Sequence, residues 1–174
     1  MDQNLVPYSS LQQASLIADE VARQNVLADF LERKSLETLR SFSVTLKAFD
    51  EYLREAGIHQ PGIVLDIEHW QEAVLDLSGW RNITYGIVRG FIRWQLRKGY
   101  AINTVNKRLS TIKTFCSLAY KAGYVNQAEF SLIQLVKGFA HKEKERVDSQ
   151  REVKRIAGSN IFSRMLFIER LIII

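Results

Sequence analysis

Two clusters of small polar and basic residues occur near the starts of two predicted helices. The first contains Thr38, Arg40, Ser41 and Lys47; the second contains Asn103, Thr104, Lys107, Arg108, Thr111 and Lys113. Hydroxyl, amide and guanidinium groups at a helix start suit phosphate contacts, because free N–H groups and the positive end of the helix dipole lie there. Side chains one turn further along can reach base edges when a helix lies in a major groove. The two clusters therefore predict contacts with a nucleic acid duplex.

The two clusters lie in segments that resemble each other. The segment TLKAFDEYLREAG at 45–57 returns 66 positions later as TIKTFCSLAYKAG at 111–123. A shared core-facing stripe explains the match of Phe49 with Phe115, and a shared helix stop explains the two Ala-Gly pairs. These explanations account less well for the outer polar and basic residues. We therefore interpret the repeat as two helices of one bundle that could grip one duplex.

Hydrophobic periodicity predicts the elements that must position these clusters. Over 35–57, Leu39, Phe42, Leu46, Phe49 and Leu53 recur at spacings of three and four, which is the stripe of an amphipathic helix. The same pattern predicts helices over 15–34, 66–77, 82–98, 103–123 and 126–139. The sequence therefore predicts an all-α fold, a compact bundle of five or six helices over residues 15–140.

Details of these helices can also be predicted from residue types. Ser35, Asp66 and Asn103 are the predicted N-caps, and Gly57 and Gly123 are the predicted stops. The inward stripe predicted for 15–34 consists of Ile17, Val21, Ala28 and Leu31, widened by Leu27 and Phe30. That predicted for 103–123 consists of Val105, Leu109, Ile112, Phe115 and Ala119.

The charge distribution is uneven along the chain. Residues 1–76 contain 6 Lys and Arg against 13 Asp and Glu, a net charge of −7, whereas residues 77–174 contain 18 against 6, a net charge of +12. A basic half of this size suggests a polyanionic partner, although a solvated basic face would have the same composition. The same two interpretations apply to Arg89, Arg93 and Arg97, which are spaced by four residues.

The residues that other kinds of site would need are scarce. Cys116 is the one cysteine of the chain, so it excludes an internal disulfide and a cysteine-based zinc cluster, and its apolar neighbours predict a buried thiol. Neither a phosphate-binding loop nor a nucleotide-binding fingerprint is present. We therefore expect no metal and no cofactor. The N-terminus lacks the features of a signal peptide, and a cytoplasmic location is expected.

Residues 15–140 resemble the N-terminal core-binding (SAM-like) domain of tyrosine recombinases, the phage-integrase and Xer-like family. The resemblance is carried by the order and spacing of TLRSF (38–42) with FDEYL (49–53), FIRWQLRKG (91–99), NTVNKRLSTIKTF (103–115) and AG (122–123). It implies a DNA-binding module that forms one half of a C-shaped clamp around double-stranded DNA. It also implies that the second and fourth helices face the major groove, which assigns DNA contacts to the two clusters named above.

The chemistry of that family lies in a C-terminal domain, where a tyrosine attacks a phosphodiester beside a His-x-x-Arg box. None of the three histidines, His59, His69 and His141, begins such a box, so we expect no catalytic residues in this chain. The expected organisation is an N-terminal tail (1–14), the core-binding domain (15–140), a linker with a candidate first strand of a catalytic domain (141–158), and an aberrant tail (159–174). This organisation suggests a truncated or frame-shifted recombinase, or a fragment.

Two alternatives remain open at this point. The chain could act in an active recombinase whose catalytic part is supplied elsewhere; its expected partners on DNA are copies of itself or a full-length recombinase. It could instead be a helical protein-interaction or regulatory module unrelated to recombination. The acidic first half keeps the second alternative open, because DNA would repel such a surface. Glu37, close to the proposed DNA-facing residues, is a specific difficulty for the DNA-binding interpretation.

Overall fold

Five α-helices form in the residues that the structure, a computed structural model, describes: 10–59, 61–64 and 77–140, with Glu143, Glu145 and Ser149. They are α1 (Ser10–Glu32), α2 (Leu36–Glu55), α3 (Tyr85–Arg97), α4 (Ile102–Lys121) and α5 (Gln127–Gln134), with one turn of 3-10 helix at Ser78–Trp80 before α3. These residues form no strand. The predicted all-α bundle is confirmed.

The ends of α2 follow from its sequence. Ser35 has extended backbone, and its hydroxyl accepts a hydrogen bond from the amide of Thr38 at 3.3 Å, as an N-cap does. At the other end Gly57 adopts a φ of 75°, and the amide of Ile58 reaches back to the carbonyl of Leu53 at 2.8 Å. Both predicted ends of this helix are confirmed, and so is the stop at Gly123, which has a φ of 81°.

The central helix is α4, which packs against α1, α2, α3 and α5. Its predicted inward stripe is buried throughout. The prediction of Asn103 as N-cap was wrong: Ala101 is the N-cap, and no side chain caps the helix. Ile102 is fully buried at the first helical position. Because this residue packs into the core, the helix begins before Asn103, the residue that the side-chain pattern indicated as its cap.

The core joins the two repeated segments through Trp80. The ring of Trp80 stacks on Phe49 of α2 at a centroid distance of 5.8 Å and on Phe115 of α4 at 5.6 Å. Interplanar angles of 19° and 21° make this a three-ring stack with Trp80 in the middle. The matched phenylalanines of the repeat therefore hold one tryptophan between them, which explains the apolar part of the repeat.

The prediction for the first helix was partly wrong. Leu27 and Leu31 are buried as expected, but Ile17 and Val21 are 67% and 50% exposed. Contact of α1 with the bundle is concentrated in its C-terminal turns, where Phe30 meets Phe42 and Phe115. A helix of this length is about 35 Å long, and its first turns extend past the core that its last turns cover.

Several predictions fall outside the described residues. The helix predicted over 66–77 is one of them, apart from Leu77, which is buried just before the 3-10 turn. Within the expected linker, Glu143, Glu145 and Ser149 are described; they have helical backbone and are exposed. The domain boundaries stay predictions. Across the described ranges, no helix has the length and hydropathy required of a bilayer-spanning segment.

Gly90 of α3 provides a test of the α2–α3 packing. A Cβ added there would overlap the hydroxyl group of Tyr52 and lie 3.2 Å from its Cζ. The Tyr52 ring cannot readily move aside, because it packs against Phe49, Phe91 and Trp94. We expect Gly90→Ala to lower the free energy of unfolding by about 1–3 kcal/mol in urea titrations.

Gly86→Ala on the same helix is the matched control for this variant. Its added Cβ would meet nothing nearer than the Thr84 hydroxyl oxygen at 3.8 Å. The free energy of unfolding should stay level or rise by up to about 1 kcal/mol, because alanine favours helix more than glycine does. Equal stability of the Gly90 and Gly86 variants would contradict the packing described for Tyr52.

Cys116 provides a test of the buried core. Its side chain is fully buried, and burial raises the pKa of the thiol to about 12. Because the thiolate is the reactive species, native chain at pH 8 should react with a thiol reagent at least about a hundredfold more slowly than chain unfolded in urea. Comparable rates under the two conditions would show that α4 does not cover the thiol.

Candidate nucleic-acid interface

The two predicted clusters meet in one groove on the surface of the bundle. This groove has a volume of about 390 Å³ and lies between the first half of α2 and the first turns of α4. We call it the α2–α4 groove; its lining residues are Arg40, Ser41, Val44, Thr45, Thr104, Lys107 and Arg108. Residues about 65 positions apart in sequence thus face one another, and each of the two clusters contributes to the same concave surface.

The exposed cations of the groove are available to a ligand. Arg40 projects from α2 and Lys107 from α4, and both side chains are exposed. Within the described residues neither of them forms an ion pair. None of the residues that line the groove is acidic. The groove therefore presents positive charge that no carboxylate within it neutralises.

The start of α4 adds backbone donors to this surface. The first hydrogen bond of the helix runs from the amide of Val105 to the carbonyl of Ala101 at 3.1 Å. The amides of Ile102, Asn103 and Thr104 therefore precede the helical ladder, and no side chain caps them; because Ile102 is fully buried, Asn103 and Thr104 supply the accessible donors. Free amides and the positive end of the helix dipole favour an anion at this position.

Arg108 occupies an unusual environment in the groove. The residue is 9% exposed, and its guanidinium carbon lies 4.2 Å from the centroid of the Tyr100 ring. Its Nη1 atom is buried and has no hydrogen-bond partner among the described residues. Long helical side chains lean toward the N-terminus of their helix, and Tyr100 directly precedes that end of α4. The guanidinium group is therefore held beside the helix start.

The α2 wall combines polar and apolar contacts. Thr45 donates a hydrogen bond from its hydroxyl to the carbonyl of Ser41 at 3.0 Å. Val44, which also lines the groove, is 59% exposed. Thr45 and Val44 were not among the predicted site residues. They follow Ser41 and Arg40 by four positions, so helical spacing could have identified them. An exposed apolar side chain between polar groups suits a thymine methyl group.

Half of the predicted residues do not line the α2–α4 groove. The hydroxyl oxygen of Thr38 lies 2.9 Å from that of Ser35 at the helix cap, and the Thr111 hydroxyl donates to the Lys107 carbonyl at 3.3 Å from a buried position. Lys47 and Asn103 are exposed outside the lining. Glu37 is exposed as well and is not part of the lining.

Lys113 lies on the side of α4 that faces α5. Its ammonium group donates to the carbonyl of Gln134 at 2.8 Å, and the Gln134 side chain donates back to the Lys113 carbonyl at 3.3 Å. Partial burial lowers the pKa of Lys113. This pair of hydrogen bonds connects the two helices, so the geometry gives Lys113 a structural task.

A second groove, of about 430 Å³, lies between α3 and the segment after α5. Near this groove the side chain of Asn106, on α4, exchanges two hydrogen bonds of 2.9 Å with the backbone of Phe139, one of the lining residues. Arg89 donates to the Tyr85 hydroxyl at 3.1 Å. The full lining is Tyr85, Arg89, Ile92, Arg93, Leu96, Leu135, Val136, Lys137 and Phe139. This groove mixes cations with apolar residues.

Comparison with known families identifies the type of domain. Residues 64–123 match the family model described as phage integrase, N-terminal SAM-like domain. The matched part, about a third of the chain, includes α3 and α4. This match supports, for residues 64–123, the resemblance to a tyrosine-recombinase core-binding domain inferred from the sequence. No curated protein and no solved structure matches the chain.

A Lys113→Met variant separates structure from binding. Loss of the hydrogen bond to the Gln134 carbonyl should lower the free energy of unfolding by about 1 kcal/mol. DNA affinity, measured by fluorescence anisotropy, should change less than about twofold, because the groove lining is untouched. If affinity instead falls as far as it does for Lys107→Ala, then Lys113 belongs to the interface, as its place in the sequence cluster predicts.

Proposed function

We propose that this chain is a DNA-binding module of a tyrosine site-specific recombinase or integrase, and that it grips double-stranded DNA through the α2–α4 groove. The observation that carries the proposal is the convergence of the two polar and basic clusters in one groove without a carboxylate. The family match supports the same partner for α3 and α4. Since the match begins at residue 64, the part assigned to α2 rests on the groove itself.

The groove residues divide into two kinds of contact. Arg40 and Lys107 are placed to neutralise phosphates on the two sides of the groove, together with the free amides at the start of α4. Ser41 and Thr104 supply hydroxyl groups, and Val44 supplies an apolar contact. Phosphate contacts fix the position of the module, and contacts with base edges in the major groove would provide any sequence preference.

The module would take part in DNA integration or recombination without performing the chemistry itself. The sequence contains no His-x-x-Arg box, so strand cleavage would require catalytic residues from another domain or another chain. A full-length recombinase or further copies of this chain on the same DNA would supply the remaining contacts. A cytoplasmic location fits this role.

A salt-dependent binding measurement tests this function. The double variant Arg40→Ala/Lys107→Ala removes two exposed cations of the groove, and Lys121→Ala removes an exposed cation at the far end of α4. Anisotropy of a labelled duplex of about 30 base pairs should show log Kd rising with log salt by about 0.9 per phosphate contact. The double variant should lower that slope by about 2, whereas Lys121→Ala should leave it within about 0.3.

Two outcomes would contradict the proposal. One is an absence of binding at low salt by the folded chain. The other is an equal loss of affinity for the groove variant and for Lys121→Ala, which would indicate attraction by net charge alone. Thermal unfolding of each variant, measured in parallel, separates loss of binding from loss of fold.

A protein-interaction role is the second candidate, and one observation favours it. Large apolar residues on the first turns of α1 are exposed, and acidic residues lie among them; the apolar residues are Leu11, Leu16, Ile17 and Val21. Isolated apolar side chains are common on surfaces, but four on one helical segment suit a partner helix. Loss of self-association or partner binding in an Ile17→Ser/Val21→Ser variant that still binds DNA would establish this role beside the first.

A further inference from the structure

The buried guanidinium group of Arg108 has donors without acceptors. Arginine stays charged under all ordinary conditions, and a buried charge without a partner is costly. Within the described part of the chain the Nη1 atom has no hydrogen-bond partner, although the residue lines a groove. The nearest compensation is the Tyr100 ring, 4.2 Å from the guanidinium carbon. Nη1 itself is out of contact with solvent, so an anion in the groove would meet the guanidinium N–H groups that are less completely buried.

The stacking on Tyr100 determines which interactions remain available. A cation above an aromatic ring is attracted by the π-electrons of its face. The N–H groups of guanidinium point outward in its own plane, in a fork that matches the oxygens of a phosphate or carboxylate. The contact with the Tyr100 ring therefore holds the group in place, and N–H groups that point away from the ring stay available to an acceptor. Arg108 is held in one orientation before any ligand arrives, which reduces the entropy lost on binding.

Independent donors converge on the same place. Arg108 lies one helical turn after Thr104, so the two side chains share a face at the start of α4. The amides of Asn103 and Thr104 have neither a helical acceptor nor a side-chain cap, whereas Ile102 before them is fully buried. Thr104 and Arg108 both line the α2–α4 groove, opposite Arg40. The helix start and the buried, unpartnered side chain are two separate observations, and both indicate an anionic ligand.

We infer that the start of α4 is a preformed site for a single tetrahedral phosphate group, with Arg108 and the first-turn amides as donors and Tyr100 as the platform that positions Arg108. The inference rests on the proposed function and deepens it, because the phosphate is assigned to a backbone phosphodiester of the bound duplex. This phosphate would set the register of α4 on the DNA, whereas Arg40 and Lys107 add charge attraction around it.

The test uses inorganic phosphate as the probe and the whole chain as the receptor. In ¹H–¹⁵N spectra recorded at constant ionic strength, chloride is exchanged stepwise for phosphate. The amides of Asn103 and Thr104 and the side-chain N–H of Arg108 should shift together along one saturating curve. Arg108→Gln should weaken phosphate affinity by about tenfold or more, because charged hydrogen bonds are lost. Arg93→Gln, an exposed arginine outside the α2–α4 groove, should leave it unchanged.

Wild-type chain alone can overturn the inference. Two results would show that no preformed site exists. The chemical-shift changes of the chain could stay linear with phosphate concentration, or they could be spread over all exposed cations. The same conclusion follows if Arg108→Gln and Arg93→Gln are indistinguishable. Should Arg108→Gln fail to fold, Thr104→Val provides the second variant, with an expected weakening of a few-fold through loss of one hydroxyl donor.

A competition arm identifies the source of the phosphate and separates this inference from the proposed function. Added duplex should displace inorganic phosphate and shift the same two amides. Phosphate binding that duplex does not displace would overturn the assignment to the DNA backbone. Salt-dependent duplex binding without any saturable phosphate site would overturn the inference while leaving the DNA-binding function intact.

Discussion

The stack of Phe49, Trp80 and Phe115 is the interaction on which the candidate site depends. It joins α2 to α4 through a tryptophan that belongs to neither helix. A fourth ring, Phe42, packs edge to face with Phe115 at a centroid distance of 5.6 Å. Both walls of the α2–α4 groove belong to helices fixed by these rings. Because packed aromatic cores resist deformation, the width of the groove is set before a ligand binds.

The placement of acidic residues explains how a chain with an acidic first half can present a basic groove. On α2 the carboxylates concentrate at the C-terminal end, where Asp50 pairs with Arg54 at 3.0 Å and Glu55 pairs with Lys98 at 2.7 Å. Hydrogen bonds from Lys98 and from the Trp94 indole lower the pKa of Glu55. Asp50 lies ten residues after Arg40, about 15 Å along the helix, which exceeds the screening length of about 8–10 Å at moderate salt.

Sequence patterns predicted the parts of the fold that local spacing controls. The stripes of α2 and α4, the cap at Ser35 and the stops at Gly57 and Gly123 depend on residues within a few positions of one another, and all are confirmed. The exposed start of α1 could not be predicted in this way. Periodicity identifies an apolar face, but it does not show how far the neighbouring helices extend to cover that face.

The candidate site was predictable to a similar degree. Arg40, Ser41, Thr104, Lys107 and Arg108 do meet in one groove, as the paired clusters suggested. The burial of Arg108 was not predicted, because it depends on the packing of Tyr100 across the start of α4. Its position beside the core residues Val105, Leu109 and Ile112 was a usable signal. The structural role of Lys113 could not be predicted, because its partner, Gln134, lies on another helix and 21 positions away.

A map of the surface that contacts DNA tests the central claim most directly. Chemical-shift perturbations of ¹⁵N-labelled chain by a short duplex would locate the interface without any substitution. We expect the largest changes at residues 40–45 of α2 and 102–108 of α4, with little change near Asp50 or Lys121. Changes centred on Arg89 and Arg93 of the second groove, or on the exposed turns of α1, would contradict DNA binding through the α2–α4 groove.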